Sequence, residues 1–139
     1  MKIETHPYIL DSFALLAHFQ DEPGRPEVEA ILRLAERQAA MLYMSVINLG
    51  EVGTIVERRR GLAAVQEVMG VIDHLPITIV DADRRLTFLA AHIKALYPIS
   101  YADAFAVALA QIKQGIVVTG DPEFRKVEEL IIIEWIPKT

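Results

Sequence analysis

Short apolar runs alternate with longer helix-type stretches along most of this chain, and this alternation limits the possible folds more than any other feature. Each run is almost entirely apolar, without a regular in-and-out alternation of polar residues. Such runs are typical of strands buried on both faces of a parallel sheet. The predicted strands are Tyr8–Leu10, Met41–Met44, Ile77–Val80, Ile116–Thr119 and Leu130–Ile136.

The stretches between these runs carry apolar residues at helical spacing or follow a capping residue. Strands that alternate with helices predict an α/β fold, here a three-layer α/β/α sandwich around a mainly parallel sheet of about five strands. In such folds the functional crevice lies at the carboxyl ends of the strands, at a topological switch point. The predicted helices are Ser12–Phe19, Glu27–Gln38, a stretch from the cap Ser45 to about Arg59, Leu62 to about Asp73, Asp83–Leu96 and Ala102–Gln114.

Length and composition predict a single domain that spans residues 1–139. Of the 139 residues, 53% are hydrophobic, which is enough for a core without disulfides or a structural metal. The chain has no cysteine, which excludes thiolate zinc sites and a cysteine nucleophile. Met1–Pro7 lacks the apolar segment of a secretory signal and no apolar run approaches a membrane span, so we expect a cytoplasmic protein that does not contact a membrane.

Two aspartates come directly after predicted strands and are therefore expected at the crevice. Asp11 follows the first strand, and Asp121 follows the fourth after Thr119 and Gly120. Each also has a simpler explanation. Asp11 can begin a helix, and Asp121 can cap a helix whose first residue is Pro122.

Two further carboxylates lie on predicted apolar helices. Asp103 fits a capping box that begins at Ser100, but the helix it opens is apolar on all sides, which predicts a poorly solvated carboxylate. Glu51 lies in the middle of a helix, where capping cannot explain it. Its neighbours on the same stripe are Ile47 and Ile55, so we expect Glu51 to interrupt a row that faces the core. A buried carboxylate is costly unless it is paired or binds a metal, and the alternative to a metal is an arginine or lysine from elsewhere in the fold.

A divalent cation is the simplest physical reason for four carboxylates to gather at one edge of the sheet. Mg²⁺ prefers oxygen ligands and keeps several waters while it bridges to a substrate phosphate, and Mn²⁺ accepts the same ligands. The cation would neutralise a phosphodiester oxygen and activate a bound water, and the residues do not decide between one metal and two. No spacing typical of a zinc site occurs among the histidines, which are His6, His18, His74 and His92.

Four segments, in their order and spacing, resemble those of the PIN-domain ribonucleases, and specifically the VapC-like toxins of type II toxin–antitoxin modules. The segments are Tyr8–Ser12, Asn48–Val52, Ser100–Ala104 and Thr119–Phe124. The resemblance covers nearly the whole chain and implies a PIN-like fold. It also implies an acidic metal site formed by Asp11, Glu51, Asp103 and Asp121, with supporting hydroxyl groups from Ser12, Ser100 and Thr119.

The same resemblance implies an endoribonuclease that depends on Mg²⁺ or Mn²⁺ and cuts structured RNA. Proteins of this kind are commonly homodimers and are neutralised by a cognate VapB-like antitoxin, whose tail lies in an apolar groove and can push a basic side chain into the acidic pocket. The predicted helix that contains Phe13, Leu15, Leu16 and Phe19 is a candidate for that groove or for the dimer surface. Burial of this helix inside the monomer is the alternative interpretation.

The net charge of −5 means that any contact with nucleic acid must be local, because proteins that coat nucleic acid are usually basic. The densest basic clusters are Arg58–Arg60 and Arg84–Arg85, for which a solvated helix end is the alternative interpretation.

Other functions on the same fold are compared by their motifs. A receiver-type signalling module needs adjacent acids, and a phosphatase with an aspartate nucleophile favours a DxD motif, but Asp11 is followed by Ser12 and Phe13. No G-x-G-x-x-G follows the first strand, which argues against a dinucleotide-binding domain. Two alternatives stay open: a non-toxin PIN-fold nuclease in RNA or DNA processing, and a non-catalytic acidic-pocket module for binding or signalling.

Overall fold

A five-stranded parallel sheet forms the centre of the computed structural model, which describes residues 6–139. The predicted parallel sheet is confirmed, although the last strand is shorter than expected. The expectation about a secretory signal rests mainly on Met1–Thr5, which lie outside the described residues. The strands are β1 (Tyr8–Leu10), β2 (Leu42–Ser45), β3 (Thr78–Val80), β4 (Ile116–Thr119) and β5 (Ile132–Trp135). Their order across the sheet is β3-β2-β1-β4-β5.

Most of the helices begin at a side chain that caps them. Ser45 accepts a hydrogen bond from the Ile47 amide at 3.0 Å, and Ser100 accepts one from the Asp103 amide at 3.1 Å. The second helix begins at Arg25, two residues before its predicted start, because Pro26 is tolerated in a first helical turn. The helices are α1 (Ser12–Phe19), α2 (Arg25–Glu36), α3 (Val46–Arg60), α4 (Leu62–Ile72), α5 (Arg84–Leu96) and α6 (Tyr101–Lys113), with a 3₁₀ helix at Pro122–Val127.

The helices cover both faces of the sheet, as the three-layer prediction requires. Successive strand residues point to opposite faces. On β1, Ile9 packs into a core formed largely by α5 and α6, whereas Leu10 packs against α1 and α2. A third group of buried side chains joins α3 and α4 to Met44 of β2. The sheet is therefore buried on both faces, which explains its continuous apolar strands.

The chain changes direction across the sheet at β1. It passes from β1 outward to β2 and β3, and then returns to place β4 and β5 on the other side of β1. Leu10 pairs with Val118, so the residues that follow β1 and β4 leave the sheet side by side. Because crevices in open parallel sheets form at such switch points, Asp11 and Thr119 lie at the expected position of the site.

Within residues 6–139, no single helix has the length and apolar composition that a membrane span requires. In that part of the chain, α5 and α6 reach such a length and composition when taken together, but they are bent by 119° with respect to one another.

Candidate metal site

Asp11 is the most strongly perturbed carboxylate of the site. It is 2% exposed, its Oδ1 accepts a hydrogen bond from the Ala14 amide at 2.9 Å, and its Oδ2 accepts one from the Thr119 hydroxyl at 2.5 Å. Burial raises the pKa of Asp11 to about 8, although both hydrogen bonds oppose the shift. The negative charges of Asp103 and Asp121 raise that pKa further, so these three side chains are close enough to interact.

Asp103 lies in the first turn of α6 and is 9% exposed. Burial is the main reason why its pKa is raised to about 6. The Asp121 charge adds to this shift, a hydrogen bond with the Ser100 side chain opposes it, and the Glu51 charge adds to it again. The expected poorly solvated carboxylate at the start of an apolar helix is therefore present, and the predicted cap at Ser100 exists beside it.

Thr119 connects Asp11 to Asp121. Its Oγ1 donates to Asp11 and accepts a hydrogen bond from the Asp121 amide at 3.0 Å. Asp121 in turn caps the 3₁₀ helix, because its Oδ1 accepts from the Glu123 amide at 2.9 Å. The capping explanations for Asp11 and Asp121 are thus correct, and they do not compete with a role at the site, since each carboxylate both caps a helix and lies beside the other acids.

Glu51 is placed differently from the sequence expectation. Its side chain is half-buried and accepts a hydrogen bond from the Ser12 hydroxyl. The expectation that its row faces the core was wrong: Ile47 is 37% exposed, and Glu51 and Ile55 line a cleft. The helix carries apolar residues on two faces, and periodicity alone does not tell which of them packs inward. The face that packs inward consists of Asn48, Val52 and Val56.

Three of the four predicted carboxylates, Glu51, Asp103 and Asp121, line one cleft of about 480 Å³. Asp11 is buried and does not line the cleft, but hydrogen bonds through Thr119 link it to Asp121, and the charges of Asp103 and Asp121 raise its pKa. The structure therefore brings the predicted acids together at the carboxyl edge of the sheet. Further polar residues of the cleft, which the sequence did not predict as members of the metal site, are Gln20, Glu22, Arg59 and Glu123.

The donor chemistry of this site fits a hard divalent cation. Within residues 6–139, no lysine, arginine or histidine nitrogen lies within 4.0 Å of the four carboxylates. In the same part of the chain, no three acidic or histidine side chains are already gathered as a ready-made metal cage. Mg²⁺ does not require such a cage, because it usually binds through one or two carboxylates and completes its shell with waters and substrate phosphates.

Asn48 is a residue of the site region whose role the sequence did not reveal. It is fully buried on α3, and its Nδ2 donates to the Ala102 carbonyl in the first turn of α6 at 3.1 Å. Its Oδ1 is buried and has no hydrogen-bond partner in the described part of the chain. Asn48 thus joins the helix that carries Glu51 to the helix that carries Asp103. The signal in the sequence is a polar residue one turn before Val52 on an apolar face.

The predicted apolar groove is only partly available. Leu15 is fully buried and Leu16 is 7% exposed, so most of α1 belongs to the monomer core. Phe13 and Leu16 do reach the wall of the cleft. Of the two basic clusters, Arg58–Arg60 contributes Arg59 to the cleft, whereas Arg84–Arg85 is exposed and does not line it.

Comparison with known proteins gives a consistent result for the fold. The family model of the PIN domain matches residues 8–130. A search of curated protein sequences gives no significant match. Among solved structures, VapBC2 from Rickettsia felis bound to a promoter DNA fragment is 18% identical with a TM-score of 0.75, and the match covers 94% of this chain and 98% of that one.

Two further solved structures are similar over most of their length. VapC20 from Mycobacterium tuberculosis, described as a toxin that cleaves the sarcin–ricin loop, is 18% identical with a TM-score of 0.71, and the match covers 94% of this chain and 99% of that one. The DNA-bound VapBC from Salmonella typhimurium is 18% identical with a TM-score of 0.65, with coverage of 94% and 98%. At this level of identity the likeness concerns the fold.

Proposed function

This chain belongs to the PIN domain family, and from that premise we propose that it is a metal-dependent endoribonuclease that hydrolyses phosphodiester bonds in RNA. The observation that carries the proposal is the pair of buried carboxylates Asp11 and Asp103. Their pKa values are raised by burial and by the charges of neighbouring acids, and neither has a cationic partner among the described residues. In its charged form such a pair is unfavourable unless a ligand neutralises it, and the alternative is protonation.

We propose that Mg²⁺ or Mn²⁺ is held by Asp11, Asp103, Asp121 and Glu51, and that the cleft beside them admits the RNA backbone. When bound, the cation supplies neutralisation of the phosphodiester charge and a lowered pKa for an attacking water. Glu51 lines the cleft, and we propose that it orients that water and accepts its proton. Ser12 fixes one Glu51 oxygen by hydrogen bonding to it.

The supporting hydroxyl groups act through the carboxylates. The Thr119 hydroxyl donates a hydrogen bond to Asp11 and accepts one from the Asp121 amide, so it sets the position of one acid relative to the other. The Ser100 hydroxyl accepts a hydrogen bond from the Asp103 amide and thereby fixes the first turn of α6. We propose that these groups keep the acids in place against their mutual repulsion, which is the usual task of residues that support a metal site.

The purified protein should cleave structured RNA in the presence of Mn²⁺ or Mg²⁺, and EDTA should stop the reaction. Mapping the RNA ends made by the wild type gives the cleavage site. The same mapping with Asp103→Asn identifies the ends that contaminating nucleases make. Cleavage that persists equally in Asp103→Asn or in EDTA would contradict the proposal. Cleavage of DNA instead of RNA would favour the alternative processing nuclease, and metal binding without any cleavage would favour a non-catalytic module.

We also propose that the chain is the toxin of a type II pair, with a VapB-like antitoxin as its partner, and that it acts in the cytoplasm as a homodimer. The proposal is supported by the similarity to VapBC complexes over nearly the whole chain. Exposed apolar side chains on α5, such as Phe88 at 67% and Leu96 at 64%, provide surface for a partner. Growth arrest on expression that a neighbouring small gene relieves would support this role, and light scattering of the purified protein measures the dimer.

A further inference from the structure

The cleft has an acidic part and a part that carries a positive charge. Arg59 is the single basic residue that lines the cleft in the described chain, and it lies beside Gln20. Glu51 and Arg59 are eight residues apart on α3, which corresponds to about 12 Å along the helix axis. The backbone of Arg59 therefore lies about two helical turns beyond that of Glu51, toward the end of α3.

Arg59 has no acidic partner in the described part of the chain, even though the cleft is rich in acids. Its Nη1 donates to the neutral side-chain amide of Gln20, and no carboxylate oxygen lies within 4.0 Å of its nitrogens. A guanidinium has five N–H donors in a fixed fork, and that fork matches the oxygens of a phosphate. The bond to Gln20 uses one donor, so the remaining donors are available to a ligand.

The surrounding charge makes this arginine necessary for an anionic substrate. Acidic residues that line the cleft, including Glu22 and Glu123, repel an RNA backbone. A metal ion at Asp103 and its neighbours neutralises only the phosphate that it contacts, and the net charge of −5 gives no general attraction to RNA. Away from the metal, Arg59 is the cleft group that offsets the repulsion.

We propose that Arg59 binds a backbone phosphate of the RNA one or more nucleotides from the cleaved bond, with Gln20 orienting its guanidinium. This inference rests on the proposed ribonuclease function and adds the path of the strand, which runs along α3 from the acids toward the end of the helix. The other explanation for Arg59 is structural. It joins α1 to α3 through Gln20, and it lies with Arg58 and Arg60 in the last turn of α3, where positive charge is favourable.

Three neighbouring arginines provide a matched test. Arg58 and Arg60 are exposed in the same helical turn but do not line the cleft. Binding is measured in EDTA with Asp103→Asn protein and a labelled hairpin RNA that contains the cleavage site mapped for the wild type. We expect Arg59→Gln to weaken binding about five- to tenfold, the size of one charged hydrogen-bonded contact. We expect Arg58→Gln and Arg60→Gln to change it less than about twofold, and Arg59→Lys to retain part of the affinity.

The salt dependence separates a phosphate contact from a structural effect. Arg59→Gln should reduce the slope of log affinity against log salt by about 0.7 to 0.9, the values for one phosphate contact on a single strand and on a duplex. With Mn²⁺ and the active protein, KM should rise while kcat stays nearly constant, because the contact is made equally before and during the reaction. The melting temperature should stay within about 2 °C of the wild type, since the residue is exposed.

Two results would overturn the inference without affecting the proposed function. One is an equal loss of affinity in all three arginine-to-glutamine variants, which would mean a diffuse charge effect. The other is a large fall in melting temperature with an unchanged salt slope, which would mean that the bond to Gln20 is purely structural. A wild-type protein that cleaves no RNA with any metal would instead contradict the ribonuclease proposal itself.

Discussion

Replacement of Asp11 by asparagine should stabilise the metal-free protein while it abolishes cleavage. Asp11 is buried, and its pKa is raised to about 8 by burial, against the hydrogen bonds from Thr119 and Ala14. The amide in Asp11→Asn keeps the cap on Ala14 with its oxygen and carries no charge. The nitrogen of that amide meets Thr119 as a donor, so the Thr119 hydroxyl has to turn toward another acceptor.

The size of the effect follows from the two pKa values of Asp11. An ordinary aspartate titrates at 3.8, and each pH unit above that value costs the folded state about 1.4 kcal/mol until the folded pKa near 8 is reached. At pH 7 the penalty is therefore of order 4 kcal/mol. The rearranged hydrogen bond at Thr119 costs about 1 kcal/mol. We expect Asp11→Asn to gain up to about 3 kcal/mol at pH 7 in EDTA.

The pH dependence gives the sign of this effect. Because the folded pKa of Asp11 lies above its unfolded value, its neutral form stabilises the fold fully below about pH 4, and this contribution is lost as the pH rises through about 8. The advantage of Asp11→Asn over the wild type should therefore grow between about pH 4 and pH 8 and then level off. Urea unfolding in EDTA, followed by circular dichroism across this range, measures the difference directly.

Asp83→Asn is the matched control for the cap itself. Asp83 caps α5 with the same geometry, accepting from the Leu86 amide at 2.8 Å, but it is exposed. Asparagine and aspartate cap helices about equally well, so we expect a change below about 0.5 kcal/mol. If Asp11→Asn were several kcal/mol less stable than the wild type at every pH, Asp11 would be part of a structural ion pair, and the reasoning about an uncompensated charge would be refuted.

Four other changes test separate parts of the site. Glu51→Gln should reduce cleavage by at least about a hundredfold and shift the melting temperature by under about 2 °C, because Glu51 is half-buried and the amide still accepts from Ser12; unchanged cleavage removes it from the site. Asn48→Leu should keep the stability of the metal-free protein, because it removes a buried oxygen that has no partner among the described residues. It should lower kcat, because it also removes the hydrogen bond that joins α3 to α6. An unfolded variant contradicts this prediction. Gly120→Ala should cost about 1–3 kcal/mol in urea unfolding, because a Cβ there overlaps the Phe13 ring and lies 2.8 Å from a carbonyl oxygen; a neutral effect shows that the ring moves away. The Mn²⁺ affinity measured by calorimetry should rise with pH up to about 8, because the buried Asp11 carboxyl must lose its proton before it binds metal. An affinity that does not change with pH counts against Asp11 as a ligand.

The sequence predicted the layers and the edge at which the acids gather, because both depend on local pattern. Strands buried on two faces are apolar throughout, and residues that follow parallel strands must emerge at the same edge. Asp11 and Asp121 could therefore be placed from their positions after β1 and β4 alone. The bounds of α2 and β5 were less accurate, since pattern alone seldom fixes the ends of an element.

The errors and omissions arise from packing that only the tertiary structure determines. Helix α3 has apolar residues on two faces, so periodicity placed Glu51 on a row that faces the core, whereas Glu51 and Ile55 line the cleft. Arg59 and Gln20 lie 39 positions apart in the sequence, and nothing local to either residue predicts that they meet beside the cleft. Asn48 appeared as an ordinary polar residue because its contact with Ala102 joins two helices that are distant in the sequence.

The backbone fixes the position of Asp11, so local movement cannot reduce the free-energy cost of burying its charge. Asp11 directly follows β1, which pairs with β4. Its two carboxylate oxygens accept hydrogen bonds from the Ala14 amide at the start of α1 and from the Thr119 hydroxyl. Its charge cannot swing into solvent without the loss of both hydrogen bonds, so only protonation or a ligand relieves it. Stability and metal binding are therefore linked at Asp11. The buried carboxylate lowers the free energy of unfolding, and a cation that binds only the folded state raises it again.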